Sequence, residues 1–199
     1  METSGMVEGT KKKPRSKGRW IIALVLAVVV GFAYFVLQYD PHRVSSVRET
    51  DGCDATRFEL ANKEVVQLIG VGFPPAETRD AARDVVQSLI EGRHIRIVTD
   101  ELPVSPEKRR LSYVYVKVKG GQQGLDNLLG KMGLEKGKVK VKADGEVFIN
   151  ELLIRLGFAA SQPEAPNLKH RDELDSAQTA AKKEGLGMWG EKEKAGSAK

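Results

Sequence analysis

The chain has 199 residues, 41% of them apolar and 30% charged, which accommodates one globular domain with an appendage and excludes a disordered chain. One cysteine excludes an intrachain disulfide framework and a Cys-rich zinc cluster, and His42, His94 and His170 lack metal-ligand spacing. The net charge of +5 sits mostly in residues 1–19 (six cations, two acids), so residues 20–199 are nearly neutral and their bulk charge gives no argument for nucleic-acid binding.

Trp20 to Leu37 (WIIALVLAVVVGFAYFVL) is an unbroken run of 18 residues without a charge or amide. As a helix it would be about 27 Å long, close to the hydrocarbon thickness of a bilayer. Trp20, Tyr34 and Tyr39 fall near its ends, where amphipathic rings prefer the interface. Six Lys and Arg precede it and only Arg43 and Arg48 follow closely, which places residues 1–19 in the cytoplasm and 40–199 outside. A cleaved signal peptide is the competing reading, since Gly31-Phe32-Ala33 has a small-x-small spacing. The apolar run continues through Tyr34-Phe35-Val36-Leu37, which favours a retained anchor.

Short extended pieces are expected over 44–60 around Asp51-Gly52. A buried strand follows at Val65–Val71, stopped by Phe73-Pro74-Pro75. Thr78–Glu91 has Ala81, Ala82, Val85, Val86, Leu89 and Ile90 at helical spacing. His94–Val98 and Leu111–Val118 alternate as strands; the second sets Val114, Val116 and Val118 on one face and Tyr113, Tyr115 and Lys117 on the other. A Gly-rich excursion from Gly120 to Gly137 holds a short helix near Leu125–Met132. Lys138–Lys142 (KVKVK) resumes strand character, and Asp144-Gly145 signals a hairpin turn before Val147-Phe148-Ile149. Asn150 is placed to cap a helix through Leu156, and a last helix runs from His170 to Glu184. Trp189 is expected to staple that helix to the barrel. Hairpin-joined strands with later helices predict an α+β domain around a small closed barrel.

The segment from Phe148 to Ala159 (FINELLIRLGFA) resembles the V-N-E-x-L-V-x-x-G-x-A helix of the staphylococcal-type thermonuclease family. The run from Leu174 to Trp189, ending in Gly-Leu-Gly-Met-Trp, is similar to that family's last helix and closing G-L-W. Val65–Pro75 resembles V-R-L-I-G-I-D-T-P-E, and Arg109–Tyr115 resembles G-R-x-L-A-Y-V-Y. The resemblance covers about residues 43–191 and implies a five-stranded OB-type barrel with three helices, here preceded by the single N-terminal transmembrane helix. The expected division is a basic tail at 1–19, an anchor at 20–39, a barrel domain at 43–191 with an insertion at about 117–142, and a disordered tail at 192–199. The resemblance and the anchor together imply a bacterial inner membrane with the domain facing the periplasm.

Active members of that family hydrolyse DNA and RNA phosphodiesters with Ca²⁺, which carboxylate oxygens hold. Arginines neutralise the phosphate and a glutamate handles the attacking water. By the resemblance, the first clamping arginine is replaced here by Gln67, the metal-binding aspartate by Gly72, the next threonine by Phe73 and the general-base glutamate by Pro75. A further metal-ligand position falls on Thr56 or, gapped differently, on Asp54. Arg109 is the retained phosphate clamp, with Arg110 as the adjacent candidate. Loss of one such electrostatic group typically costs about 3 kcal/mol of transition-state stabilisation. The resemblance thus implies a degraded catalytic site, no metal site and no cofactor, and a binding or interaction role; Ca²⁺ belongs only to the alternative, an active envelope-anchored nuclease. Glu77 is assigned to the first turn of its helix, and Asp100 and Glu101 to a solvated loop.

Pairing of the two lysine-rich segments would set Lys117, Lys119, Lys138, Lys140 and Lys142 on one ribbon beside Tyr113 and Tyr115. Such a ribbon reads as a phosphate-binding strip for nucleic acid or anionic lipid. The alternative is that exposed lysines only guard a strand edge against aggregation. An envelope protein is a further candidate partner, and Cys53 reads as a tolerated lone thiol.

Overall fold

The computed structural model describes residues 17–38, 42–46 and 55–190. The chain divides near residue 39 into two units. The first is one helix, α1 (Lys17–Gln38), whose described side chains, residues 21–34, are all exposed. Among the described residues no helix is long and apolar enough to cross a membrane. The transmembrane segment expected at 20–39 is therefore not shown.

The second unit is an α+β domain built on a curled sheet. Its strands are β1 (Val44–Ser46), β2 (Arg57–Leu60), β3 (Val65–Leu68), β4 (Arg96–Val98), β5 (Arg110–Lys117) and β6 (Glu146–Phe148), in the order β1-β2-β3-β5-β4 with β6 also on β5. Its helices are α2 (Ala76–Ile90), α3 (Gly121–Lys131), α4 (Ile149–Arg155) and α5 (Arg171–Lys183), followed by a 3₁₀ turn at Gly187–Trp189. The described domain therefore has six strands and four α-helices where five and three were expected. The extra helix is α3, inside the insertion.

β3 and β5 run parallel, with Gln67 opposite Leu111; every other strand pair is antiparallel. Bridges from Arg43 to His94 and from Val44 to Glu91 bring β1 round to the turn before β4. The main core gathers Phe58, Leu60 and Val66 from the sheet, Val85, Val86, Leu89 and Ile90 from α2, and Leu152 and Leu153 from α4. Ala81, expected on the buried stripe of α2, is exposed. The stripe instead takes in Thr78, whose hydroxyl donates to the Phe158 carbonyl at 2.9 Å.

β5 is buried on both faces. Val114 and Val116 enter the main core as the alternation predicts. Tyr113 (1% exposed) and Tyr115 (7%) are not surface rings beside lysines, as expected, but fill a second core with Phe148, Ile154 and Leu174. Tyr115 stacks on Phe148 at 4.7 Å, and Tyr113 meets His170 edge-on at 4.5 Å. Helix α5 covers this face of β5, so the strand's polar-looking side has a roof.

Lys138–Lys142 forms no strand. The Gln122 side chain of α3 takes the place of a strand partner: its Oε1 accepts from Val141 N (2.9 Å) and its Nε2 donates to Val139 O (2.9 Å). Leu125, Leu129 and Val139 join the main core, so the insertion is a helical cap and not a lysine ribbon, and the sheet is a curled half-barrel, not the closed barrel expected.

Asn150, expected as a helix cap, lies inside α4 and is fully buried. Its Oδ1 accepts from Val114 N (3.0 Å), and its Nδ2 donates to Ile69 O (2.9 Å) and Ser112 O (3.3 Å). Replacement by alanine leaves buried backbone groups unpaired, each worth about 1–3 kcal/mol. Asn150→Ala is expected to lower unfolding stability by about 3 kcal/mol or more, measured by urea denaturation; a loss below about 1 kcal/mol would contradict this role.

Candidate functional site

A cleft of about 340 Å³ opens where β2, β3 and the start of β5 meet the 162–167 loop. Arg57, Gln67, Phe73, Arg109 and Gln162 line it, with Gly70–Gly72 as its floor. The alternation of Arg57-Phe58-Glu59-Leu60 buries Phe58 and Leu60 and turns Arg57 to the opposite face. Antiparallel register sets Arg57 against Gln67. Gln67 Oε1 in turn accepts from Arg109 Nη1 at 3.3 Å.

A tight turn aims Arg109. Lys108 adopts the left-handed backbone region (φ 61), Ser105 N donates to Arg109 O at 2.9 Å, and Arg109 N donates to Ser105 Oγ at 3.3 Å. Glu107 lies 3.9 Å from the guanidinium. The Ser105 hydroxyl, ahead of Arg109, holds the Glu107 carboxyl below its ordinary range. Arg110, the adjacent clamp candidate, turns away to Glu64 at 3.3 Å. The structure thus separates the two arginines, and Arg109 is the one in the cleft.

Phe73 projects from the cleft mouth, 53% exposed, between Arg79 at 5.0 Å and Arg57 at 5.5 Å from its ring centre. These cation–π contacts fix the ring's attitude. Arg57, Arg79 and Gln162 were not singled out from sequence. The signal for Arg57 was present in the β2 alternation, but cross-strand register is not readable from one strand.

A Cβ built at Gly72 would meet Gln162 Oε1 at 3.1 Å and the Ala160 carbonyl at 3.3 Å, and Gly72 N donates to that same carbonyl at 2.9 Å. A side chain at this position would be tightly flanked, and Gly72 supplies none. Thr56, 5% exposed, lines the cleft, while Cys53 and Asp54 lie outside the described residues. Among the described lining residues Glu164 is the one carboxylate. Among the described residues no cluster of three His, Cys, Asp or Glu could hold a metal ion. Asp100 is a structural acceptor, not a solvated loop residue: it takes the Tyr113 hydroxyl (3.0 Å) and Lys169 N (3.1 Å). Glu77 sits in the first turn of α2, as expected.

The five candidate lysines do not converge. Lys138 pairs with Glu135 (2.8 Å) and Glu184 (2.7 Å). Lys142 pairs with Glu173 and, at 3.6 Å, with Glu151. Lys140 is exposed, and Lys117 and Lys119 stand exposed at the far end of β5. Trp189 packs at the chain's closing turn, with Lys182 over its ring at 4.6 Å.

The curled sheet with a parallel β3–β5 seam and a cleft beside it defines an OB-like nuclease-type domain. Residues 66–191 match the staphylococcal nuclease homologue family, more than half of the chain, and the protein belongs to that family. Comparison with curated protein sequences gives no match.

Glu173 also accepts from His170 Nδ1 at 2.9 Å. Burial works against its charge, but hydrogen bonds from Lys142 and His170 outweigh it and hold the carboxyl below its ordinary value. Its stabilising contribution is therefore present above the unfolded glutamate pKa of about 4.3 and lost as pH falls through the lower folded value. Glu173→Gln is expected to destabilise the domain clearly at pH 7 and progressively less toward pH 3 in urea titrations. A pH-independent deficit would refute the ion-pair account.

Proposed function

We propose that the chain is a membrane-anchored, extracytoplasmic thermonuclease-like protein whose cleft binds phosphodiesters without cleaving them. The observation that carries this reading is the cleft's side-chain inventory. Arg57 and Arg109 line it and Arg79 backs the exposed Phe73, while the metal-aspartate position is a glycine pressed against the Ala160 carbonyl. Guanidinium groups neutralise phosphate and an exposed aromatic ring stacks a base, which are the two ingredients of single-strand recognition. No residue at the general-base position can take a proton, because that residue is Pro75. The cleft chemistry supports retention of a nucleic-acid strand more readily than hydrolysis.

The anchor reading rests on the 18-residue apolar run at 20–37 and the cation excess before it. By the positive-inside rule the cation excess supports a cytoplasmic N-terminus and a family domain outside, on this reading at a bacterial inner membrane.

Two measurements test this. The full chain in nonionic detergent should bind a single-stranded oligonucleotide with steep salt dependence, lose about tenfold or more affinity with Arg57→Ala plus Arg109→Ala, and leave the strand intact with Ca²⁺ present. Ca²⁺-dependent cleavage lost in Arg109→Ala, or a saturable calcium heat abolished at Asp54, would overturn the reading in favour of an active nuclease. For topology, alkaline phosphatase fused after Lys199 is expected to be active and membrane-bound; a cytosolic or freely released fusion would remove the anchor.

A further inference from the structure

We propose that the groove between the end of β5 and α3 is a second anion site, shaped for a small phosphate-bearing group: a phospholipid headgroup or a free phosphate compound. Four cations line it, Arg93 from the turn before β4, Lys117 at the end of β5, Lys119 just after it and Lys131 in the last turn of α3. Its volume is about 430 Å³, with Val118 and Leu128 as the apolar wall, and no carboxylate is among the lining residues.

Seven other cations of the domain are committed to acids. Lys63, Arg83, Arg96, Arg110, Lys138, Lys142 and Arg155 each pair with an acid. Among the described residues Lys117, Lys119 and Lys131 have no ion-pair or hydrogen-bond partner, and the Arg93 guanidinium makes one long bond to Ser88 O at 3.4 Å. Glu146 lies opposite Lys117 in the strand register, but Arg96 occupies its carboxylate. Gathered like charges repel until an anion joins them, so the groove favours a multiply charged ligand.

The groove is built by the fold. Gly124 lies against Lys119: a Cβ there would sit 1.9 Å from the Lys119 carbonyl. Gly124, Leu128 and Lys131 recur at the spacing of one helix face, so the same contact that seats α3 also brings Lys131 to the loop lysines. No aromatic ring lines the groove, which removes the stacking platform that single-stranded nucleic acid uses. Its volume suits a compact ligand. Lys117 and Arg110 are opposite ends of β5, roughly 23 Å apart along the strand, so this site stands apart from the cleft and does not rest on the cleft's function.

The test is calorimetric titration of the full chain in nonionic detergent with pyrophosphate and with sn-glycerol 3-phosphate, the deacylated headgroup. Saturable, salt-sensitive binding is expected, weakened about tenfold or more by Lys117→Gln, Lys119→Gln and Lys131→Gln together, and unchanged by Lys140→Gln. Tighter binding of glycerol 3-phosphate identifies a headgroup; tighter binding of pyrophosphate identifies a free phosphate compound. If the triple variant melts early, Lys119→Glu alone, at an exposed loop position, should show the same loss. Absence of saturable binding to either compound, or equal binding by correctly folded variants, would overturn the proposal. An oligonucleotide that needs these lysines while neither small phosphate binds would replace it with a nucleic-acid tract.

Discussion

The fold turns on a gap along one edge of β5. β3 pairs with that edge as far as Ser112, and β6 begins to pair at Tyr115. Between them the Val114 amide has no strand partner, and an unpaired buried amide is costly. Asn150 fills the gap from α4 with one acceptor and two donations, reaching both β5 and the end of β3 at Ile69. An amide side chain suits this place because it carries donor and acceptor a few ångströms apart, as a peptide does. Without it β3 and β6 could not share one edge of β5, and α4 would lose its fixed position over the sheet.

That seam also positions the cleft. The parallel register sets Gln67 beside Leu111, and the turn before β5 delivers Arg109 to Gln67. Arg57 follows from antiparallel pairing to the same residue. Sheet pairing and one tight turn therefore gather the cleft's cations. The Gly72 floor belongs to the same framework: Gly70 and Gly72 exchange backbone hydrogen bonds with Gln162 and Ala160. A side chain introduced at position 72 would have to shift Gln162 or the Ala160 carbonyl by a few tenths of an ångström. On the proposed reading the cleft keeps its electrostatic cradle and lacks a side chain at its cation position.

Periodicity made much of this legible. The valine face of β5, helix α2 within two residues and the short insertion helix follow from spacing alone, because burial on one face imposes a period. Both faces of β5 could not be read, since Tyr113-x-Tyr115-x-Lys117 looks amphipathic until α5 is known to cover it. Lys138–Lys142 misled for a related reason. Alternating Lys and Val predicts a strand, yet Gln122, remote in sequence, satisfies the backbone. The cleft substitutions at 67, 72, 73 and 75 were readable through family resemblance. Arg57 and Arg93 were not, because their roles depend on register and on a turn's placement.

Charge neutrality hid the most. Residues 20–199 sum to about zero, which argued against an anion-binding surface. Net charge averages over positions, however, and screening makes a protein's field local within about 10 Å. Glu135, Glu151, Glu173 and Glu184 are committed to Lys138, Lys142 and Arg155, where they brace the insertion against α4 and α5. The acids that balance the sum are thereby held away from the groove lined by Lys117, Lys119 and Lys131. A neutral domain can thus present concentrated positive potential, provided its acids are fixed as internal braces.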